Sequence, residues 1–255
     1  TMEVTVLGGG VSGVTTGLLL AVLGHRPTIL TRRRADHAQG EHHPSFASLY
    51  PAASVIPHAI RVDDVVQHME DTQAVFEVFR QHGTCGVRQQ MHYELFESPT
   101  PTPDYAPALH GFRRLPDDGS GEPGAPRRPG ADGVFGWFFR TYFVETPTYL
   151  RRLFALFEQA GGRVEQRRIQ REDLPDLPGD ALVNCLGAGA LDLFDDPRPV
   201  AYLRGCLVHA DVPDLPLHPD AREVCSYNYD PAPSVYAEAG GSPGGSTSIR
   251  GRTPG

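Results

Sequence analysis

Three glycines near the start of the chain, Gly8, Gly10 and Gly13, stand in the spacing Gly-x-Gly-x-x-Gly between a β-branched apolar run and a segment of helix length. In that context one glycine permits a tight turn, one lets the backbone approach a pyrophosphate, and one brings helix and strand close together. A helix opening at Val11 and Ser12 then offers free N–H donors and partial positive charge to phosphates. The plainer reading is a structural turn; the sharper one is a bound dinucleotide.

Where such sites place an Asp or Glu against ribose hydroxyls, about 20 residues on, the chain carries Thr31-Arg32-Arg33-Arg34. Arg32 or Arg33 is suited to grip a 2′-phosphate, which favours NADP, and equally to stack on adenine or pair with a diphosphate. An exposed arginine run is also often no more than a solvated turn. These residues leave the choice of dinucleotide open.

Other titratable clusters weigh less. His37, Glu41, His42 and His43 lack the fixed helical or strand spacing of metal ligands, so no metal is expected. Glu172-Asp173 and Asp195-Asp196 suit solvated charges at element ends. All 23 basic residues are Arg. Without Lys, a Schiff-base aldolase, a pyridoxal-phosphate enzyme and a phosphate loop ending in Gly-Lys-Ser/Thr are excluded.

The elements that must position these residues follow from apolar pattern. Glu3 to Leu7 reads as a buried strand, Val11 to Leu23 as a helix closed by Gly24, and Pro27 to Leu30 as a second strand, together a βαβ unit. Val65, Val66, Met69, Val75, Phe76 and Phe79 suit helix between Asp63 and Gln81 with one buried face. The stretch from Leu115 to Val134, rich in Pro, Gly, Asp and Ser, reads as a mobile surface loop. Val134 to Phe139 and Tyr142 to Val144 have the aromatic and β-branched content of antiparallel strands. Thr146 is placed to cap a helix with Pro147 at its first position, and Leu150, Leu153, Phe154 and Phe157 recur at helical spacing up to Gly161-Gly162. Arg163 to Ile169 and Ala181 to Leu186 are expected strands, the second entering the turn Gly187-Ala188-Gly189.

The stretch Ser45-Phe46-Ala47-Ser48-Leu49-Tyr50-Pro51-Ala52-Ala53-Ser54-Val55-Ile56-Pro57 resembles the loop of the D-amino-acid oxidase family in which small residues lie along the pyrophosphate and flavin ring. Small side chains serve there because backbone N–H groups must come within hydrogen-bond distance of phosphate oxygens. Gly111 to Leu115, Gly136 through Glu145 and its following helix, Val183 to Ala190, and Arg204-Gly205 resemble further parts of that family in the same order. The likeness covers residues 3 to about 237.

The resemblance implies an α/β fold with a doubly wound, Rossmann-like FAD-binding domain interleaved with an antiparallel-sheet substrate domain. Residues 1–62 and 145–198 would form the first, 63–144 and 199–237 the second, and 238–255 a flexible tail. It implies FAD as cofactor, with contacts from Gly8, Gly10, Val11, Ser12, Gly13, Arg32, Arg33, Phe46, Ala47, Ser48, Ala52, Ala53, Leu186, Gly187 and Gly189. Ile169 would offer backbone contacts to the adenine moiety. The implied reaction is oxidation of the C–N bond of a D-amino acid or related amine, by hydride transfer to flavin with molecular oxygen as acceptor. No protein base is strictly needed, because the amine binds unprotonated and the main demand is placing the C–H bond over the flavin. Tyr227 and Tyr236 match positions that direct phenol hydroxyls toward the substrate carboxylate or active-site water, a task for a donor that is neutral near pH 7.

Family members continue past this length with the arginine that pairs with the substrate carboxylate, so a shortened, diverged or repurposed member is expected. An NADP-dependent reductase and a non-catalytic flavin-binding remnant are the alternatives. A formal net charge of -8 argues against duplex nucleic acid as a partner. The four cysteines form no Cys-x-x-Cys, so reduced thiols are expected. With the longest apolar run, Leu18 to Leu23, far short of the ~18 residues of a span, a soluble cytoplasmic protein is expected, with a homodimer as the assembly to test.

Overall fold

The computed structural model describes residues 1–34, 46–49, 53–57, 62–83, 85–123, 125–194 and 225–230. In chain order its elements are β1 (Glu3–Leu7), α1 (Val11–Val22), β2 (Arg26–Thr31), α2 (Val65–Gln81), β3 (Val87–Phe96), β4 (His110–Arg114), β5 (Phe135–Val144), α3 (Thr146–Gln159), β6 (Arg163–Gln166), β7 (Ala181–Asn184), α4 (Ala190–Leu193) and β8 (Cys225–Asp230). They form two compact units, each discontinuous in sequence: Thr1–Ala53, Gly83–Gly86 and Glu145–Leu207, and Ser54–His82, Val87–Val144 and Val208–Gly255.

The first unit is built on a parallel sheet of order β6-β2-β1-β7. Val4, Thr5, Val6 and Leu7 of β1 are all buried, as a central strand covered on both faces requires. The buried stripe of α1 consists of Gly13, Val14, Gly17 and Ala21. A Cβ on Gly17 would stand 3.0 Å from the Phe157 ring and 3.1 Å from Ile29, so α1 lies close against both β2 and α3. It ends in a Schellman motif: His25 N–H donates to Leu20 O and Gly24 N–H to Ala21 O, with Gly24 at φ +83°.

Tyr149, Leu150, Leu153, Phe154 and Phe157 form the buried face of α3, each contributing about 1.5–3 kcal/mol in transfer free energy. Leu7 and Leu30, register partners facing away from α1, pack with Ile169 and Leu193, and Leu174 of the 3-10 segment Arg171–Asp176 and Leu177 just after it join them. Both faces of the sheet are therefore covered.

Local hydrogen bonds set the element ends, and several differ from the pattern-based expectation. The strand expected through Ile169 stops at Gln166, and a reciprocal cap between Gln170 and Asp173 starts the 3-10 segment instead. The strand expected through Leu186 stops at Asn184, whose Oδ1 accepts the Leu186 N–H and turns the chain. Glu145, rather than Thr146, precedes the first turn of α3, since its carbonyl accepts the Tyr149 N–H.

The second unit has a sheet of order β4-β5-β3-β8. Its first three strands are antiparallel, with β3 and β5 in continuous register from Val87↔Val144 to Phe96↔Phe135, while β8 joins β3 in parallel. A long connection permits that parallel addition. The helix α2 covers one face through Met69, which packs with Ala108, Leu109, Trp137 and Phe139. Val75, expected on the buried side, is exposed; Gln73 occupies that side, its Nε2 donating to Ala108 O at 2.8 Å. Leu95, Phe138 and Tyr229 pack on the other face with Leu115 and Val134.

The 115–134 stretch is held in place rather than loose. Leu115 and Val134 are buried, Ser120 bridges to Val134, and Arg128 makes a forked ion pair with Glu97 at 2.7 and 3.0 Å. Residues 238–255, the histidines at 37, 42 and 43, Asp195-Asp196 and Cys206 lie outside the described residues. Among the described residues no helix is long and apolar enough to cross a membrane, and no His/Cys/Asp/Glu group is placed to hold a metal.

Candidate functional site

All four strands of the parallel sheet run the same way, so Leu7, Thr31, Gln166 and Asn184 end along one edge. At the carboxyl ends of parallel strands, where the order reverses about β1, loops diverge and leave a crevice for ligands. The glycine turn leaves β1 there. Gly8 has φ +103°, which favours glycine, and its N–H donates to Leu30 O at 2.9 Å. A Cβ on Gly8 would run into the Cys185 carbonyl, and one on Gly13 into the carbonyl of Gly8. Strand β1, the start of α1 and the turn after β7 are thus in backbone contact, and Gly8 and Gly13 permit it. Gly10 forms the N-cap of α1 in extended conformation, while Val11 and Ser12, its first two helical residues, are exposed.

The small-residue stretch meets this turn. Ala47–Leu49 forms a 3-10 turn that buries Leu49 and packs on α3. From it the Ser48 Oγ accepts the Val11 N–H at 3.1 Å, and a Cβ on Gly10 would stand 3.1 Å from that oxygen. Residues 37 positions apart therefore converge on the positive end of α1. Phe46 and Ala53 are half-buried; Ala52 lies outside the described residues.

A third turn completes the edge. Cys185 N–H donates to Leu7 O at 2.8 Å, and Leu186, Gly187 and Gly189 follow in a 3-10 turn beside Gly8, with Gly187 at φ +56°. At the end of β2 the Thr31 hydroxyl donates to Arg33 O and folds the chain back. Arg32 and Arg33 are exposed, whereas Arg34 pairs with Glu158 at 3.1 Å and lies over the Phe154 ring. Arg34 is thus tied to α3. Ile169 has its side chain buried against Leu7 and Leu30.

Tyr227 belongs to the second unit. It pairs in register with Tyr93 and packs, half-buried, on the cluster around Leu95 and Phe138. Its neighbour Tyr229 is structural, donating its hydroxyl to Glu97 at 2.9 Å. Tyr236 and Arg204-Gly205 lie outside the described residues.

Sequence reasoning missed a polar group in the same unit. On the face of β3 opposite Tyr93, His92 and Glu94 are buried and joined Nε2 to Oε1 at 2.9 Å. His92 Nδ1 lies 2.7 Å from Ser226 Oγ, which lies 3.0 Å from Ser54 Oγ, and Asn228 Nδ2 donates to Glu94 Oε1 at 2.8 Å. The available signal was the alternation of Gln90, His92 and Glu94, which is indistinguishable from a solvated strand face.

The profile of the FAD dependent oxidoreductase family matches residues 3–253. A D-amino-acid oxidase from Streptomyces coelicolor is 32% identical over 222 residues, 84% of this chain and 60% of that protein. A D-aspartate oxidase from Homo sapiens is 29% identical over 227 residues, 84% of this chain and 61% of that protein. The chain thus spans about three-fifths of the length of these curated relatives. Iminodiacetate oxidase from Chelativorans sp. BNC1 shares the fold at a TM-score of 0.52 and 19% identity, over 74% of this chain and 56% of that one.

Proposed function

The chain belongs to the FAD dependent oxidoreductase family, and we propose that it holds FAD at the glycine edge of its parallel sheet and oxidises the C–N bond of an amino acid or related amine. The hydrogen bond from Val11 N–H to Ser48 Oγ carries this reading. It joins the turn suited to a diphosphate with the stretch suited to a flavin. The cradle fits the group, since Cβ atoms at Gly8 and Gly13 would collide with backbone and the first turn of α1 points N–H donors at the same edge.

Gly8, Gly10, Val11, Ser12 and Gly13 would hold the diphosphate. Phe46, Ala47, Ser48, Ala52 and Ala53, with Leu186, Gly187 and Gly189, would border the ring system. Arg32, Arg33 and the Ile169 backbone would serve the adenosine end. FAD, when bound, supplies the hydride acceptor. The first unit would be the cofactor domain and the second the substrate domain, with Tyr227 and Tyr236 donating phenol hydroxyls to the substrate carboxylate or to water. The relatives named for D-amino acids and D-aspartate favour a D-amino acid as substrate, and molecular oxygen is the proposed final acceptor.

The test is anaerobic addition of an amino-acid panel, D- and L-forms with glycine and cyclic amines, to the chain reconstituted with FAD. Bleaching of the flavin by at least one D-amino acid is expected. Bound flavin that no member bleaches would instead indicate a non-catalytic flavin protein, and tight NADPH binding without flavin affinity an NADP-dependent reductase.

A further inference from the structure

Strand β8 is short, lies at one edge of its sheet and reads Cys-Ser-Tyr-Asn-Tyr-Asp. Tyr227 and Tyr229 stand on the face that holds Leu95 and Phe138, while Ser226 and Asn228 meet His92 and Glu94 on the other. A one-residue slip along β3 would exchange the two faces and strip the apolar cluster of both tyrosines. A two-residue slip keeps the faces, and the tyrosine face resists it poorly. Tyr93 now pairs with Tyr227 and Leu95 with Tyr229, so moving Tyr227 opposite Leu95 puts one tyrosine where the other stood. The Tyr229 hydroxyl donates to Glu97 Oε1 at 2.9 Å, and Arg128 holds Glu97 at 2.7 and 3.0 Å. After that slip Glu97 would meet the Tyr227 hydroxyl instead.

We propose that His92 and Glu94 are a register lock which, through Ser226 and Asn228, makes Tyr229 rather than Tyr227 the tyrosine of β8 that Glu97 binds. The inference goes beyond the reaction proposed above and does not depend on it. It bears on that reaction because the lock decides which phenol is spent on the scaffold.

The polar face tells the registers apart where the tyrosine face does not. His92 and Ser226 are each 1% exposed and Glu94 is 2% exposed. In the present register His92 is opposite Ser226 and Glu94 opposite Asn228. His92 Nδ1 lies 2.7 Å from Ser226 Oγ, and Asn228 Nδ2 donates to Glu94 Oε1 at 2.8 Å. The pair is itself joined, Nε2 to Oε1, at 2.9 Å. Moved two residues one way, β8 sets Asp230 against Glu94, so two carboxyl groups face each other in a buried place. Moved the other way, it sets Val224, whose side chain offers no hydrogen bond, against His92 Nδ1, and a buried polar group left without its partner is costly. On the opposite side of β3 the register partners of His92 and Glu94 are the buried Phe139 and Trp137, with the Phe139 ring 5.3 Å from the imidazole. Selection of the register therefore falls to β8. Buried polar pairs that fix strand or helix registry are the best-attested use of such groups.

Disulfide trapping in the full chain tests the lock. In a Cys225→Ser background, Tyr227→Cys is combined in turn with Tyr93→Cys, Met91→Cys or Leu95→Cys, one partner for the present register and one for each two-residue slip. Neighbouring strands lie about 4.7–4.9 Å apart, inside the Cα separation of about 4.4–6.8 Å that a disulfide spans. After mild oxidation at neutral pH, the crosslinks are mapped by mass spectrometry of the digested chain. With the lock intact, the Tyr93→Cys pair alone is expected to form. Adding His92→Leu and Glu94→Leu together removes both partners of the buried pair, and Ser226 Oγ keeps Ser54 Oγ at 3.0 Å. One of the slipped pairs should then rise to a yield comparable with that of Tyr93→Cys, with the far-UV circular dichroism unchanged. Asn228→Asp, made with the lock in place, sets a carboxyl group against Glu94 and should move the crosslink from Tyr93→Cys to Leu95→Cys. A purely stabilising role would lower the unfolding midpoint and leave the crosslink on Tyr93→Cys. That pattern in the folded His92→Leu/Glu94→Leu chain or in Asn228→Asp overturns the proposal, as do three pairs of equal yield with the lock intact.

Discussion

Gly13 admits no side chain, because a Cβ there would overlap the Gly8 carbonyl. Gly13→Ala is therefore expected to push α1 away from β1 and abolish FAD binding, measured by titration with the cofactor. Ser48 acts more gently. Ser48→Ala leaves the Val11 N–H without its acceptor, and by analogy with the loss of a capping hydroxyl it should cost about 0.5–2 kcal/mol in denaturant unfolding. FAD binding should weaken alongside, since Ser48 fixes the stretch against the helix. The glycines were legible in the sequence because their spacing is itself the geometric requirement. Ser48 was legible by resemblance alone, and its bond to Val11 depends on a fold that joins distant segments. His92 and Glu94 were not legible, because a strand hides buried and solvated polar faces behind the same alternation.

Among the elements, α2 is fastened to β5 by a polar contact at its edge: the Tyr142 hydroxyl donates to Glu77 Oε2 at 2.8 Å, and the Phe76 and Tyr142 rings stack. Hydrogen bonds from Arg80 first, then Tyr142 and Gln81, lower the Glu77 carboxyl from 4.5 to about 2. The folded state favours the carboxylate, so this contribution is complete above the unfolded value and is lost as pH falls through about 2. Burial first, then the bond to Glu77, raises the Tyr142 phenol from 10.0 to about 12. Its contribution is present below the unfolded value and is lost as pH rises through about 12. Glu77→Gln should flatten part of the acid limb of stability, read from denaturant midpoints across about pH 2 to 5. The helices and strands were largely visible in apolar period, most clearly in α3, where Leu150, Leu153, Phe154 and Phe157 repeat on one face. Their ends were not, because the Asn184 side chain and the Gln170–Asp173 cap override propensity locally.

The whole molecule divides into a unit with a parallel sheet and a unit with a mixed one, each with its own core. By resemblance the order of motifs leads to an expectation of two interleaved domains, whereas the parallel addition of β8 to β3 depends on pairing partners far apart in sequence. If the glycine edge holds FAD, the cofactor binds the folded first unit and not the unfolded chain. It should then raise the unfolding free energy by about 2.7 kcal/mol at a hundredfold excess over Kd. Retention of flavin by the chain is the most direct test of a cofactor site at the glycine edge. The purified protein is mixed with FAD, passed through gel filtration and examined by visible absorption beside Gly13→Ala. Stoichiometric flavin co-eluting with the wild type and absent from the variant is the expected result; a colourless wild-type protein after that step would contradict the account.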